Sequence, residues 1–274
     1  MTNTIIDWMS YFHRMYWGIP ELSKNKWGQN INALFQFMKL IKKLTYEETW
    51  WKISIAWEGW QSIRKKMSDT YKKERKPLQD NFLWQLHKCK EIWDILGIKS
   101  TKYQGYEWDD IIGNIIMHGW NKQWTIWTGD KDMNQLLQGD RVKIYNLGKK
   151  CIYTESDFVR DWWFEPHKII DYLAIIGDSS DWVMGIKGLW EKSVIPLIIE
   201  WWTVETIYEN IESIKDSIQK KLQGQKDMVL KNKSLIQLMP IEWFEYHQWQ
   251  WDMETTTLWN QICLEYDMPS LIIK

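Results

Sequence analysis

Four short β-prone runs, separated by helix-length segments and in three cases followed by acid, constrain this chain more than any other feature. Residues 4–6 are apolar and stop at Asp7. The run "KISIAWEG" (52–59) reads as a buried strand ending at Glu58. "WTIWTGDKDMNQLL" (124–137) reads as strand, acidic turn and helix, and "RVKIYNL" (141–147) as a further strand. Between them, "INALFQFMKLIKK" (31–43) and "LQDNFLWQLHKCKEIWDI" (78–95) carry apolar residues at helical spacing. "GYEWDDIIGNIIMHG" (105–119) reads as a turn followed by a helix. Strands that alternate with helices predict an α/β fold whose sheet is mainly parallel. Beyond about residue 160 the strand signals fade and helical pattern dominates.

The acids gain meaning from that arrangement. Functional sites in open parallel sheets form outside the carboxyl ends of the strands. Asp7, Glu58, Asp130 and Asp132 all lie at such ends and can converge although they are distant in sequence. Glu107 and Asp110 are three apart, on one helical face, with Asp109 beside them, and Asp178 and Asp181 repeat the spacing. Carboxylates gathered this densely repel unless cations neutralise them. Hard divalent ions with oxygen ligands are the natural partners, and two ions about 3.5–4 Å apart can drive phosphodiester cleavage. Any one of these pairs taken alone serves equally as a helix N-cap and first-turn acid, so on pattern both readings stand.

Bulk composition narrows the classes. Net charge is -1, so phosphate affinity must come from local segregation of charge. Two basic stretches supply it: "RKKMSDTYKKERK" (64–76) and the turn "GIKGLWEK" (185–192). The three cysteines, Cys89, Cys151 and Cys263, form no CxxC pair, which argues against a disulfide framework or structural zinc and predicts a reducing, cytoplasmic setting. The first twenty residues lack a secretory pattern, and no apolar run reaches the ~18 residues a membrane span needs. Histidines His13 and His118 have no ligand partner at metal spacing and read as surface or packing residues. The chain holds 23 tryptophans against three alanines, many of them in polar or turn-like contexts.

The stretches "IIDWMSYFHRMYWGIP", "IAWEGW", "YKKERKP", "GYEWDDIIG", "TGDKDMNQLL", "DYLAIIGDSSDWVMGIKGLWEKS" and "LKNKSLIQL", in this order, resemble the structure-specific 5′ nucleases. That group comprises flap endonucleases, phage 5′–3′ exonucleases and the 5′-nuclease domain of bacterial DNA polymerase I. The resemblance runs nearly end to end. It implies a PIN-like nuclease domain over 1–160, with a basic arch or clamp at about 61–85. A helical DNA-binding region over 161–274 would carry a helix–three-turn–helix element at about 171–200.

The resemblance further implies two Mg²⁺ or Mn²⁺ ions. One group of ligands matches Asp7, Glu58, Glu107, Asp109 and Asp110, and the other matches Asp130, Asp132, Asp178 and Asp181. Lys72 and Arg75 match residues that contact the scissile phosphate, Tyr71 a position that stacks on a base, and Arg14 and Arg64 basic positions near the active site. Gly185, Lys187, Gly188 and Lys192 match the turn that holds duplex phosphates and binds K⁺. The implied partner is DNA with a 5′ flap or a single-strand/duplex junction, including RNA-primed strands, met by a monomer away from membranes. Two other readings share these residues: a non-catalytic DNA-junction binder and a PIN-type ribonuclease.

Several positions depart from the family pattern. Trp8 and Trp190 stand where glycine is usual, Trp108 where alanine is, Trp182 where asparagine is and Trp57 where phenylalanine is, and Glu58 replaces aspartate. Overpacking costs about 1–3 kcal/mol per site where the surroundings cannot give way, and little where the ring faces solvent.

Overall fold

The structure is a computed structural model that describes residues 3–20, 24–47, 52–57, 62–73 and 77–274. Two of the residues singled out above, Glu58 and Arg75, lie outside the described residues.

Strand β1 (Asn3–Asp7) is wholly buried and leads directly into helix α1 (Trp8–Gly18). Helix α2 (Asn32–Lys42) continues into one π-helical turn over Lys43–Glu47, and strand β2 (Lys52–Ala56) follows. The short helix α3 (Ile63–Met67) precedes α4 (Asp80–Ile95), β3 (Ser100–Thr101) and α5 (Trp108–His118). Strand β4 (Trp124–Thr128) is followed by a 3₁₀ turn over Asp132–Leu136, then by β5 (Val142–Asn146) and β6 (Cys151–Tyr153). Among the described residues these strands form one six-stranded sheet in the order β3-β2-β1-β4-β5-β6. All neighbours pair in parallel except β5 with β6.

The sheet is therefore the mainly parallel one that the alternating runs predict. Strand β2 stops at Ala56, two residues short of the expected end, and the helix expected after "TGDKD" is only a 3₁₀ turn. The two-residue β3 and the edge strand β6 carry no run long enough to be read from sequence.

Apolar alternation along the strands builds two cores. Ile5, Ala56 and Ile126 face the core that contains α5 and the later helices. Ile6, Ile55 and Trp127 face the core that contains α1, α2 and α4. Trp8 is completely buried in this second core, against Phe12, Phe37, Trp57 and Trp93 at ring-centroid distances of 4.5–6.5 Å. It thus points away from the carboxylates into an aromatic cluster, so the overpacking expected beside Asp7 is absorbed in the core.

The remainder is helical: α6 (Glu155–Trp162), α7 (Ile169–Ile176), α8 (Glu191–Trp201), α9 (Val204–Glu209), α10 (Asp216–Leu222), α11 (Lys226–Ile236) and α12 (Met253–Glu265). A two-residue hairpin, β7 (Gly177–Asp178) with β8 (Val183–Met184), interrupts it between α7 and α8, where no strand was expected. Gly177 and Gly185 let the two chain segments cross there. A Cβ on Gly185 would meet the Ile176 carbonyl oxygen at 1.9 Å, and one on Gly177 would meet the Gly185 nitrogen at 2.4 Å. Among the described residues no helix is long and apolar enough to cross a membrane.

Tryptophan occupies four left-handed positions: Trp163, Trp182, Trp202 and Trp243, at φ of 55–68°. Trp163 and Trp202 directly follow α6 and α8, where helices commonly end on glycine. A residue with a Cβ pays roughly 1–2 kcal/mol for this conformation, against roughly 0.5–1 kcal/mol of extra chain entropy for glycine. Trp163 and Trp243 are 67% and 92% exposed and have little packing to lose. Trp202 also carries the Lys168 ammonium 4.1 Å from its ring centre, a contact worth about 0.5–1 kcal/mol that cancels much of the gain there. The double variant Trp163→Gly/Trp243→Gly is expected to be more stable by about 1–2 kcal/mol, raising Tm by about 3–6 °C, whereas Trp202→Gly shifts it little. Thermal unfolding followed by circular dichroism checks this; a lower Tm for the double variant refutes it.

Candidate active site

The order of strands puts β1 between β2 and β4, so the chain reverses its direction of travel across the sheet at the β1/β4 boundary. A crevice opens outside the carboxyl ends of strands at such a point. Asp7 closes β1 there, fully buried, accepting hydrogen bonds from the Ser10 amide (3.0 Å) and the Thr128 hydroxyl at the end of β4. Thr128 in turn accepts from the Asp130 amide at 2.9 Å, and Asp130 accepts from the Asp132 amide at 2.9 Å. One hydroxyl thus couples the acids of two neighbouring strands.

The second contribution comes from the start of α5. Glu107 is buried and accepts from Ser62 (2.6 Å), the Tyr71 phenol (3.0 Å) and the Lys72 ammonium (2.5 Å). The third is the β7–β8 hairpin. Asp178 accepts from Ser180 through its amide (3.0 Å) and hydroxyl (2.7 Å), and from the Lys131 ammonium (2.9 Å). Asp181 accepts from Tyr71 at 2.9 Å and lies 3.3 Å from the Lys72 ammonium.

Asp132, Asp178 and Asp181 offer oxygens that all lie within 4.8 Å of one another. Three carboxylate oxygens in the cluster, Oδ1 of Asp109, Oδ1 of Asp132 and Oδ2 of Asp178, are buried without a hydrogen-bond donor. Buried carboxylate oxygens without donors are costly and uncommon, so this arrangement fits a hard cation. A space of about 10 Å³ bounded by Asp109, Asp132, Asp178 and Asp181 is of the size of a single water or ion. It adjoins a far larger cleft of about 890 Å³, lined by Ser10, His13, Leu78, Trp108, Asp130, Lys131 and Asp178.

Proton affinities record the crowding. Burial, opposed by hydrogen bonds from Thr128 and Ser10, pushes Asp7 up to about 8. Burial, with the charges of Asp130 and Asp178, pushes Asp132 up to about 8. Burial also raises Asp109 well above the carboxylate range and raises Asp130. Burial works against Glu107 and Asp178 as well, but it is outweighed by Lys72 for the first and by Ser180 and Lys131 for the second, and both are held low.

Three expectations need correction. Asp110 is not available as a ligand. Arg64 grips both its oxygens, at 2.6 and 2.7 Å, and the Glu107 and Met239 amides donate to them at 3.0 and 2.8 Å. Arg64 is not placed to meet DNA: it is buried, and it also donates to the carbonyls of Leu235 (2.7 Å) and Gln237 (2.9 Å). Together with Asn114, which bonds the Met239 carbonyl and the Ile241 amide, this pair ties α5 to the segment after α11. Tyr71 does not present its ring to a base, since its side chain is buried with the phenol between Glu107 and Asp181.

The basic residues fall into two groups. Lys72 is buried among the acids. Arg14, Lys187 and Lys192 are exposed, and Gly188 adopts a φ of 82° with its carbonyl accepting from Lys221 at 2.6 Å. His13 packs against Phe82 and lines the cleft, and His118 packs against Phe244 with a ring nitrogen 2.9 Å from the Asn114 carbonyl oxygen. Trp182 is 40% exposed and Trp190 72% exposed. Sequence reasoning missed Ser62, Thr128, Ser180 and Lys131. Lys131 was visible inside "TGDKD" between two acids, whereas nothing local marks a lone hydroxyl as the link between two strands.

Comparison with known proteins agrees with this architecture. A family model described as the 5′-3′ exonuclease N-terminal resolvase-like domain matches residues 2–163, and the 5′-3′ exonuclease C-terminal SAM fold matches 164–253. The chain is 32% identical over 225 residues to a 5′-3′ exonuclease of Halalkalibacterium halodurans, covering 78% of this chain and 74% of that one. It is 33% identical over 245 residues to DNA polymerase I of Caldicellulosiruptor bescii, covering 86% of this chain and 28% of the polymerase, so it spans little more than a quarter of that relative. A solved bacteriophage T5 D15 flap endonuclease, in complex with DNA and metal ions, shares the fold with a TM-score of 0.70 at 18% identity, over 87% of this chain and 89% of that one. With both halves matched in order, and with the PIN-like sheet and helical region of its structural neighbours, the chain belongs to the 5′–3′ exonuclease family.

Proposed function

We propose that this protein is a metal-dependent, structure-specific 5′ nuclease that hydrolyses phosphodiester bonds in DNA bearing a 5′ flap or a single-strand/duplex junction, RNA-primed ends included. The observation that carries the reading is that Asp109, Asp132 and Asp178, each with a donor-less buried carboxylate oxygen, line one ion-sized space beside a large open cleft. A related flap endonuclease is described in complex with DNA and metal ions, which supports both halves of the reading.

Asp109, Asp132, Asp178 and Asp181 are the residues to hold divalent ions, Mg²⁺ or Mn²⁺, with Asp130 on the adjoining cleft and Asp7 close enough for its charge to act on Asp109. Such ions supply Lewis acidity and an acidified water as nucleophile. The protein's own groups prepare that chemistry. Thr128 and Ser10 fix the Asp7 carboxylate, and Ser180 fixes Asp178, so ligand oxygens are oriented before any ion arrives. Lys131 brings positive charge to the cleft edge, where a phosphate would carry negative charge in the transition state, and Lys72 places a second ammonium among the acids behind it. The exposed Lys187 and Lys192, in the turn before and at the start of α8, suit duplex phosphates, and the same turn suits K⁺.

A 5′-labelled flap duplex with enzyme in excess tests the proposal in Mg²⁺, Mn²⁺ or EDTA. The expected result is cleavage near the junction with either ion and none in EDTA. A duplex that stays intact with every ion, while binding persists and weakens with salt, would show a junction binder instead. Faster cutting of an RNA substrate of the same shape would favour a ribonuclease.

A further inference from the structure

Two lysines pair with different members of the carboxylate cluster. The Lys72 side chain is 5% exposed, and its ammonium lies 2.5 Å from Glu107 and 3.3 Å from Asp181. The Lys131 ammonium lies 2.9 Å from Asp178. Asp178 and Asp181 are also two of the three acids whose oxygens gather within ion-holding distance. Lys72 reaches its position by a special turn of the backbone: its φ is 52°, and its amide donates to the Asp181 carbonyl at 3.3 Å. A left-handed conformation at a lysine is unfavourable by itself, so the surroundings must hold it there. The Tyr71 phenol, bonded to both Glu107 and Asp181, packs the same two carboxylates around the ammonium.

We infer that Lys72 and Lys131 are built-in counterions that occupy the carboxylates in place of divalent ions, so that metal loading displaces them and the lysines set the protein's metal affinity. This inference rests on the metal-site reading above. An ammonium and a divalent cation repel strongly at the few ångströms that separate them when they share one carboxylate in a poorly solvated site. Binding of the ion and withdrawal of the lysine are therefore linked, and the linkage is reciprocal. Lys131 has somewhere to go: it borders the 890 Å³ cleft and its side chain is 53% exposed. The displaced Lys131 ammonium would then be free to meet the phosphate that enters the cleft, which couples ion loading to the creation of an anion site.

The test is Mn²⁺ binding without DNA, by calorimetry, in the wild-type protein, Lys72→Met, Lys131→Met and Lys72→Arg. Removing either ammonium is expected to tighten Mn²⁺ binding on the order of 10-fold, within the usual range of such couplings, while Lys72→Arg leaves it near the wild-type value. Lys131 is half exposed, so Lys131→Met decides the matter even if Lys72→Met fails to fold. A second readout is reductive methylation followed by mass spectrometry, in which Lys72 should label several-fold faster with Mn²⁺ than in EDTA. Unchanged or weaker Mn²⁺ binding in the methionine variants, with unchanged Lys72 labelling, would overturn the counterion role and leave the metal site intact. A wild-type protein that binds no Mn²⁺ would overturn the metal reading itself, and this inference with it.

Discussion

Asp132→Asn and Asp178→Asn are each expected to slow single-turnover cleavage of a flapped duplex by on the order of 10³-fold or more, with DNA affinity changed far less. Each replacement removes a negative charge and puts an NH₂ donor or a neutral oxygen on a residue that lines the ion-sized space and now carries a donor-less carboxylate oxygen. Loss of one group that organises transition-state electrostatics costs about 10²–10³ in rate, and loss of an ion through its ligand costs more. Asp110→Asn is the informative contrast. Asp110 is one residue from Asp109 on the same helical turn, yet its oxygens belong to Arg64 and two backbone amides. Breaking a buried pair by removing one partner typically costs about 3–5 kcal/mol. Asp110→Asn should therefore appear as a drop in Tm, with an intact metal titration in whatever fraction remains folded. Quench-flow rates, DNA binding and thermal unfolding on the three variants separate the roles. Equal loss of stability in all three, or wild-type cleavage by Asp132→Asn, would contradict the assignment.

Stripped of metal, the protein should lose stability as pH rises from about 5 to 8, the reverse of ordinary acid denaturation. Asp7 and Asp132 bind their protons up to about pH 8 in the folded chain, against 3.8 for a free aspartate. Between those values the folded state holds protons that the unfolded state has released, so stability falls with rising pH at about 1.4 kcal/mol per unit for each such group. Burial drives both shifts, so the loss amounts to several kcal/mol by pH 8 and levels off above it. Glu107 and Asp178 are shifted the other way, and their contribution is lost only as pH falls below the ordinary carboxylate range. The two effects therefore occupy separate windows. A divalent ion takes over from the protons and stabilises the folded state by mass action, so saturating Mn²⁺ should flatten the slope and raise Tm most at high pH. Melting curves at half-unit steps from pH 5 to 9, in EDTA and in Mn²⁺, measure this. A flat or rising EDTA profile would show that the acids are solvated rather than buried.

Local pattern was enough to determine the class of fold and the neighbourhood of the site. Short apolar runs of strand length alternating with amphipathic helices leave few alternatives to a parallel sheet, and acids at strand ends in such a sheet must face one crevice. Asp7, Asp130 and Asp132 were legible for that reason, and spacing singled out Asp178 and Asp181, but as a helical pair, whereas they lie in a hairpin whose two-residue strands carry no run. What sequence could not decide was which oxygens stay open. Asp109 and Asp110 are chemically identical neighbours. One faces the cluster with a donor-less oxygen, while the other meets an arginine 46 residues away and an amide 129 residues away. Likewise the basic stretch holding "YKK" reads as a source of phosphate affinity, yet Tyr71 and Lys72 are buried because Glu107 and Asp181 give them partners there. Trp8, a residue too large for a tight metal shell, is accommodated because α2 and α4 supply an aromatic core on the far side of its backbone. Helix and strand tendencies are set by a residue and its near neighbours. Hydrogen-bond partnership, burial and proton affinity are set by whichever distant segments fold against it, and only the tertiary structure specifies those.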